Sequence, residues 1–412
     1  MRRPLLLALF FFAACFHRFY QDYVGVAADA SDGAISSDAP VSGCQTANCG
    51  GKTPFCEPDT HQCVGCRDGK DCSETRGCSQ ESHTCTDCTF HSECASSFCK
   101  LDGSCAATNE LLIVDNGVSC QSIGNPIGNL PYCEIADALP HVDLNHVRLL
   151  VNGSDRAYRA VSLPIGMPEL FIVGAAPGHL PVIAGLSIGQ AIISTSVSVD
   201  NVEIAASSGS GFDCTADGGS KPIALQLSRV RIHDCAGWAV HSVGCDLNLD
   251  AGLIGPHNRQ GGLSLSHTSF QISNSVIFMN DGPPLIADQN RSSGEVGFST
   301  LIANSGAVSC KSGSPFSINH SIVLQNGASQ FDGALTLSQV VVGKDDNSAI
   351  AGAVKSTPVF AGDYYQLAKG DPANAGDNGC CVDKATAGPP YDALGNKRPR
   401  GRSYDIGAHE VQ

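Results

Sequence analysis

One eight-residue pattern recurs seven times between residues 197 and 342 and constrains the fold more than any other feature. Its form is apolar, any, apolar, any, any, apolar, any, apolar. Alternation predicts a strand with one buried face, and the two-residue skip predicts a corner between two such strands. Repeats of this length predict a solenoid. The copies begin 28, 22, 23, 26, 20 and 19 residues apart, at Val197, Leu225, Leu247, Phe270, Val296, Phe316 and Leu335.

The corner residues support the same interpretation, because the first residue of every skip is Asp, Ser or Asn. Such side chains bond nearby backbone groups and stabilise bends. We therefore expect a polar ladder along one edge of a parallel β-solenoid. In the fifth copy, the pattern assigns the apolar slots to Val296, Phe298, Leu301 and Ala303. The corner residues are Asp200, Ser228, Asp250, Ser273, Ser299, Asn319 and Ser338.

This repeat resembles the right-handed parallel β-helix superfamily that includes the pectin lyases, over roughly residues 109–412. The resemblance implies an all-β fold, with a right-handed parallel β-helix at residues 109–356. Less regular early strands are expected at residues 111–114, 147–151 and 170–173. Residues 132–139 predict a short amphipathic helix, and similar helices close the N-terminal end of parallel β-helices. We expect Cys120 and Cys133 to pair and staple this cap.

The N-terminus predicts export. Two arginines precede an apolar run at residues 4–14, which is too short to span a bilayer and fits a secretory signal. Residues 12–15 resemble a bacterial lipobox, which implies a lipid on Cys15 and a place at the cell surface or outer membrane. Ordinary cleavage after a small residue, giving an extracellular protein, is the alternative. Residues 16–43 are rich in small and polar residues and predict a flexible tether.

Twenty-one cysteines indicate an oxidising compartment. Setting Cys15 aside leaves 12 between residues 44 and 105 and 8 from residue 120 onward, and both counts are even, as disulfide pairing requires. Residues 44–107 have few apolar residues, so disulfides are expected to replace a core. They resemble the cysteine-rich modules of bacterial surface proteins. The three four-cysteine units are Cys44, Cys49, Cys56, Cys63; Cys66, Cys72, Cys78, Cys85; and Cys88, Cys94, Cys99, Cys105.

Zinc is the alternative for this module. The spacing of Cys63, Cys66, Cys85 and Cys88 matches that of tetrahedral zinc sites. In an exported chain the same spacing marks the joints between repeats, and we therefore predict no metal there.

Residues 357–412 differ in composition from the repeats. They resemble the choice-of-anchor Q segment that ends many bacterial surface β-helix proteins, which implies a surface location. The residues that carry this resemblance are Gly370, Asp371, Pro372, Ala373, Asp392, Gly395, Arg398, Pro399, Tyr404, Asp405, Ile406, Gly407, Ala408, His409 and Glu410.

The pattern also predicts which side chains point outward. Glycoside hydrolysis needs paired carboxylates and a lyase needs a base, but the first-strand face offers neither. The second-strand face carries an apolar strip, Leu253, Val276, Ile302, Ile322 and Val341, which we expect the C-terminal segment or a partner subunit to cover. The outward column on the first strand is Ser198, Gln226, Asn248, Gln271, Gly297, Ser317 and Thr336.

Two longer excursions, at residues 207–220 and 280–294, interrupt the repeat and are predicted as functional loops. Their carboxylates could bind a sugar or a cation such as calcium, and the alternative is ordinary solvated charge. No Gly-rich phosphate loop, Ser-His-Asp arrangement or His-rich metal motif stands out. The candidate ligand-binding residues are Asp213, Asp217, His233, Asp234, Asp281, Asp288 and Arg291, with His241 nearby.

A net charge of −15 argues against nucleic acid and anionic membranes as partners. Membrane contact is expected only through the N-terminal lipid. Aromatic residues make up 6% of the chain, which weakens a lectin interpretation because sugars stack on aromatic rings. We predict an exported, surface-anchored adhesion component that binds polysaccharide or a cell-surface protein without catalysis. The rival is a polysaccharide lyase or glycoside hydrolase acting at the acidic loops.

Overall fold

A computed structural model gives the architecture. Contacts divide the chain into two units, Met1–Ala107 with Ala175–His179, and Thr108–Gly174 with Leu180–Gln412. The predicted signal peptide, the tether, Cys15 and Cys44 lie outside the described residues. The structure describes residues 49, 51–57, 62–73, 75–79, 82–100, 102–117, 120–121, 130–143, 146–164, 166–175, 179–189, 191, 193–216, 222–288, 292–311, 316–333, 335–343, 351–361, 364–368 and 380–411.

The cysteine-rich unit contains short antiparallel strand pairs and two 3-10 turns. Phe55–Cys56 pairs with Cys63–Val64, and Gly77–Cys78 pairs with Cys85–Thr86. The 3-10 turns are Gly69–Asp71 and His91–Glu93. Half-cystines supply much of its buried surface, because Cys66, Cys78, Cys88, Cys94 and Cys105 are all buried.

Disulfides connect this unit in a repeating way. In the second and third four-cysteine units, the first cysteine pairs with the third and the second with the fourth. Each of the four cysteines in the zinc-like spacing is disulfide-bonded, so the zinc alternative is wrong. Cys56 is disulfide-bonded as well. The described bonds are Cys49–Cys63, Cys66–Cys78, Cys72–Cys85, Cys88–Cys99 and Cys94–Cys105.

The second unit is a parallel β-solenoid with three sheets of ten, nine and eight strands. Sheet 1 comprises Leu111–Val114, Arg148–Val151, Glu169–Gly174, Thr195–Asp200, Ile223–Ser228, Cys245–Asp250, Ser269–Ser273, Ser293–Gly297, Phe316–Asn319 and Thr336–Ser338. Sheet 2 comprises Val182–Ile183, Glu203–Ala205, Arg231–His233, Leu253–Ile254, Val276–Phe278, Thr300–Ile302, Ile322–Leu324, Val340–Val342 and Ala353–Lys355. Sheet 3 comprises Val161–Leu163, Leu186–Ile188, Phe212–Thr215, Trp238–Val243, Gly261–Ser266, Leu285–Asp288, Val308–Cys310 and Phe331–Gly333.

The predicted parallel solenoid is confirmed by the strand register. Asp200 lies beside Ser228 and Ser228 beside Asp250, so equivalent corner residues of successive turns are stacked. The apolar slots of the first copy, Val197 and Ile204 among them, are fully buried. Each strand other than those at the ends of a sheet bonds to the turn before it and the turn after it, and the alternating residues fill one continuous interior.

Sheet 3 was not predicted from the sequence. The two excursions expected to be loops contain the sheet 3 strands Phe212–Thr215 and Leu285–Asp288. These strands carry the same alternation, with Phe212 and Leu285 inward and fully buried. The expectation of long functional loops was therefore wrong for these strands: their carboxylates lie on the outer face of a rigid sheet.

The fifth copy of the repeat was assigned two residues too late. Gly294 lies beside Phe270 and Val296 beside Ile272, so the copy begins at Gly294. Gly297, rather than Ser299, takes the stacked corner position beside Ser273. On the outer faces, Glu295 takes the place expected for Gly297, and Thr300 the place expected for Ile302. Gly294 occupies the first inward position of this copy. The start of the copy is therefore not marked by an apolar side chain in the sequence.

A short α-helix, Ile135–Ala138, lies near the first strands of the solenoid and continues into the 3-10 turn Leu139–His141. Ile135 and Ala138 are buried in the solenoid core. A disulfide joins Cys120 to Cys133, just before the helix. Another 3-10 turn, Thr108–Glu110, precedes the first strand of sheet 1. Among the described residues, no helix is both long enough and apolar enough to cross a bilayer.

A ladder of four buried asparagines lies in the turn between sheets 2 and 3. Each side chain donates to the next, from Asn258 to Asn280 (2.8 Å), Asn280 to Asn304 (2.7 Å) and Asn304 to Asn326 (2.8 Å). Their side chains also bond backbone groups; Asn280, for example, donates to the Ile254 carbonyl. All four are at most 2% exposed, so the ladder satisfies polar groups that water does not reach.

A serine ladder does the same at the corner between sheets 1 and 2. Ser275 Oγ accepts a hydrogen bond from Gly252 N, Ser299 Oγ accepts one from Ser275 N, and Ser321 Oγ accepts one from Ser299 N.

The interior also holds the disulfide Cys214–Cys245. The even cysteine count after residue 120 did not mean that every cysteine pairs, because Cys235 is a buried free thiol.

The apolar outer strip of sheet 2 is covered by residues of the C-terminal segment. Leu253, Val276, Ile322 and Val341 form one buried cluster with Tyr364, Leu367, Cys381, Ala385, Ala393, Ile406 and Ala408. Phe278, Ile302 and Leu324 extend this strip as a second outward column. The segment includes a small antiparallel pair, Phe360–Ala361 with Gln366–Leu367. Between Leu253 and Val342, sheet 2 is therefore buried on both faces, which explains the apolar strands of that part.

We predict that Asn280→Ala lowers the free energy of unfolding by about 3 kcal/mol, because it removes one of the two acceptors of Asn258 Nδ2 and the side-chain donor to the Ile254 carbonyl in a dry interior. The matched control is Asn248→Ala on the exposed face of sheet 1, where a change within about 0.5 kcal/mol is expected. Urea unfolding followed by circular dichroism would measure both. Equal losses in the two variants would contradict a structural role for the ladder.

Candidate functional site

The outer face of sheet 1 carries a continuous column of hydrogen-bonding side chains. The register places Ser198, Gln226, Asn248, Gln271, Glu295, Ser317 and Thr336 side by side on successive strands. Asn248, Gln271, Glu295 and Thr336 are exposed, and the others are half-buried. We call this column the polar face.

One carboxylate lies on the polar face, which corrects the prediction that it had none. Glu295 accepts a hydrogen bond from the Asn319 amide on the next strand. A second outward column on sheet 1 adds Asp246, which accepts from Ser269 N at 3.1 Å. These carboxylates bond protein groups and lie in different columns, so they do not form the paired acids of a glycosidase.

Asp213 and Asp288 lie on sheet 3 and do not converge. Their strands are separated by Trp238–Val243 and Gly261–Ser266, which corresponds to roughly 14 Å at the usual strand spacing. Asp213 Oδ1 is 3.2 Å from His241 Nδ1, whereas Asp288 is 3.8 Å from the Lys311 amine. Asp217 and Arg291 lie outside the described residues.

His233 is the centre of a charge cluster at the end of a sheet 2 strand. Its Nδ1 is 2.7 Å from Asp234 Oδ2 and its Nε2 is 3.2 Å from Glu203 Oε1. Burial lowers the His233 pKa, but the hydrogen bonds and charges of Asp234 and Glu203 outweigh burial and raise it to about 9. The hydrogen bond from His233 lowers the pKa of Asp234. His233 is therefore an imidazolium at neutral pH, and both of its ring nitrogens are engaged.

Asp281 lies near this cluster but outside it. Its Oδ1 is 4.0 Å from His257 Nδ1, and both side chains are more than half exposed.

Two groups of described residues bring potential metal ligands close together. Both consist of half-cystines: Cys66, Cys72 and Cys78 in one, and Cys88, Cys94 and Cys99 in the other. These sulfurs are already in disulfides. Of the acidic side chains proposed for calcium that the structure describes, Asp213 and Asp288 lie on sheet 3, and Asp234 and Asp281 lie in turns between sheets 2 and 3.

The C-terminal segment contains a buried polar network that sequence reasoning did not identify. Arg398 is almost fully buried, with Nε 3.4 Å from Glu410 Oε2 and a terminal nitrogen donating to the Gly407 carbonyl at 2.9 Å. Burial lowers the pKa of Arg398 and raises that of Glu410. Burial also lowers the His409 pKa to about 4, so the neutral ring can donate from Nε2 to the Tyr364 carbonyl.

This network joins the segment to the solenoid. Gly407 N donates to the His320 carbonyl at 2.9 Å, and Ala408 N donates to Thr300 Oγ1 at 3.1 Å. Asp392 accepts from Leu394 N at 2.9 Å and from Glu410 N at 3.1 Å. Backbone N–H groups thus join the segment to the solenoid, and the charged side chains bond within the segment.

Comparisons with known proteins add little beyond the fold. No protein-family model and no curated protein matches the chain. The chain is similar to a solved structure described as the crystal structure of pectate lyase Pel9A, with 14% sequence identity, 73% of this chain covered, 96% of that chain covered and a TM-score of 0.30. That score is too low to support any argument about activity. The choice-of-anchor Q resemblance remains a prediction.

The His233 cluster predicts a pH dependence of stability. Since the folded pKa of about 9 exceeds the ordinary value of 6.5, the stabilisation is complete below about pH 6.5 and is lost as the pH rises through about 9. We expect His233→Gln to cost on the order of 3 kcal/mol at about pH 6 and much less at about pH 10.

Urea unfolding at both pH values measures this difference. His257→Gln is the control, because that ring is exposed and 4.0 Å from its acidic neighbour. A cost of His233→Gln that is the same at both pH values would show that the imidazolium does not stabilise the fold.

Proposed function

We propose that the protein is an exported, surface-anchored β-solenoid that binds a polysaccharide or a cell-surface protein along the polar face, without chemistry at that face. The observation that carries this proposal is the column of Ser198, Gln226, Asn248, Gln271, Glu295, Ser317 and Thr336, which crosses seven successive strands and is open to solvent at four of them.

The chemistry of the polar face suits an extended, hydroxyl-rich or amide-rich ligand. Gln226, Asn248 and Gln271 each offer a donor and an acceptor, repeated at the strand spacing of about 4.8 Å. An extended chain with regularly spaced hydroxyl or amide groups could bond to several strands at once. The net charge of −15 disfavours a polyanionic ligand.

Rigidity supports binding by this face. Apart from the terminal strand Thr336–Ser338, the strands of the polar face bond to neighbours on both sides, and the serine ladder fixes the corner next to sheet 1. Side chains on such a scaffold are already positioned, so less conformational entropy is lost on binding.

The rival, a polysaccharide lyase or hydrolase at the acidic loops, lacks support from the described geometry. Convergence of Asp213 and Asp288 beside a basic group would have favoured it, but two strands separate them. Each instead has its own partner, His241 and Lys311 respectively.

The binding proposal can be tested with the full exported chain on arrays of polysaccharides and surface proteins. We expect the double variant Asn248→Ala and Gln271→Ala to weaken binding by roughly 30-fold, since two hydrogen bonds of about 1 kcal/mol each are lost. The control is Ser162→Ala with Ser187→Ala, a hydrogen-bonded pair on the outer face of sheet 3. Equal binding by both doubles would contradict a role for the polar face, and polymer cleavage abolished by Asp213→Ala would favour the rival.

Surface anchoring is a separate prediction. In a bacterial host with a lipoprotein pathway, Cys15→Ser should move the protein from the membrane fraction to the soluble fraction, because stable association would depend on the lipid. Mass spectrometry of the mature N-terminus checks whether Cys15 carries it. Unmodified Cys15 in the wild-type protein, or unchanged fractionation of the variant, would contradict lipid anchoring.

A further inference from the structure

Three side chains on successive strands of sheet 3 align in an order that the proposed binding function does not use. Asp213 lies beside His241, and His241 lies beside Ser264. They share one column on the outer face: the side chains of His241 and Asp213 are 33% and 44% exposed, and Ser264 is half-buried. This column is on a different sheet from the polar face.

The acid and the imidazole already interact. His241 Nδ1 is 3.2 Å from Asp213 Oδ1, and Thr215 Oγ1 donates to the same carboxylate oxygen at 3.2 Å. A carboxylate only accepts hydrogen bonds, so Nδ1 must carry the proton. In neutral His241, Nε2 is then the unprotonated nitrogen that can act as a base. It lies on the part of the ring farther from Asp213.

Ser264 lies on the strand that follows His241, one strand spacing of about 4.8 Å away. No hydrogen bond joins Ser264 Oγ to His241 Nε2 among the described contacts, so the proposal rests on their adjacent positions in the register. Such nucleophile–base bonds are often long before substrate binds. The three residues thus have the types and the order of an acid–base–nucleophile triad.

We propose that Asp213, His241 and Ser264 form a nucleophilic site that hydrolyses small acyl esters, such as acetyl groups on an extended polymer. An open sheet face suits a short ester group exposed on a long chain better than a large acyl group, which would need a deep pocket. The next side chain in the column, Ile286, is half-buried and offers an apolar surface for a methyl group.

The reaction balances without an outside oxidant or reductant. Ser264 Oγ attacks the ester carbonyl carbon while His241 Nε2 takes the hydroxyl proton. The bond to the alcohol oxygen breaks, and Nε2 returns the proton to the departing alcohol, which leaves an acyl-serine. Water then attacks this acyl group, Nε2 takes the water proton, and Ser264 leaves with it. One ester and one water give one acid and one alcohol.

We expect slow turnover. The backbone N–H groups of these strands take part in the parallel ladder, so water would have to stabilise the oxyanion that dedicated donors stabilise in efficient enzymes. Covalent modification of Ser264 is therefore a better readout than the steady-state rate.

The test uses the full chain and a fluorophosphonate probe, with peptide mass spectrometry to locate the adduct and p-nitrophenyl acetate to follow acylation. We expect an adduct on Ser264 and at least about a 100-fold slower reaction in Ser264→Ala, His241→Gln and Asp213→Asn. The matched control is Ser266→Ala on the same strand. Ser266 Oγ is 3.2 Å from His267 Nδ1, so it tests whether any serine beside a histidine reacts.

Three outcomes would overturn the proposal: no adduct on Ser264, equal adducts on Ser264 and Ser266, or unchanged labelling in Asp213→Asn. Melting curves of the variants show whether each is folded. Because all three residues lie on an outer face, loss of labelling in a folded Asp213→Asn variant identifies a role for the carboxylate in positioning His241. Binding by the polar face is measured separately, so failure of either proposal leaves the other intact.

Discussion

Vertical register between successive turns is the constraint on which the rest of the solenoid depends. A residue that bonds to the turn below must present the same kind of group to the turn above, because the closed interior leaves little water to satisfy it. The asparagine ladder from Asn258 to Asn326 and the serine ladder from Ser275 to Ser321 meet this requirement with the same residue type repeated. A slip of one residue would turn every side chain of a strand to the opposite face.

The covering role of the C-terminal segment follows from a difference between the outer surfaces of the three sheets. Sheet 1 carries the polar face, whereas sheet 2 is largely apolar outside as well as inside between Leu253 and Val342. Covering it brings polar backbone and charged side chains into a dry layer. The Arg398–Glu410 pair, the bond from His409 Nε2 to the Tyr364 carbonyl and the bond from Ala408 N to Thr300 offset part of that cost, while Arg398 Nη1 and His409 Nδ1 are buried without a hydrogen-bond partner among the described residues. The described residues of this segment bond within it and to the solenoid.

The sequence predicted the strands of sheets 1 and 2 well, because both share one template and the strict alternation of buried residues leaves a visible pattern. The entry strand at residues 111–114 was predicted with its observed bounds. Sheet 3 was missed because its strands follow turns of unequal length and their spacing from the template varies. The fifth copy was misplaced because Gly294 fills an inward slot without an apolar side chain. The true assignment reveals Glu295 on the polar face and makes the repeat spacing more regular.

By itself, the sequence determined the solenoid, its polar corners, the apolar strip on sheet 2 and the supply of half-cystines, since these depend on local pattern and composition. Only the tertiary structure decided which charged residues meet. Asp213 and His241 are 28 residues apart in the chain and their side chains are 3.2 Å apart in space, whereas Asp213 and Asp288, both candidate ligand residues, are held on separate strands. The physical reason is that a side chain on a solenoid finds its neighbours one turn away, and the length of each turn varies too much for sequence spacing alone to identify them.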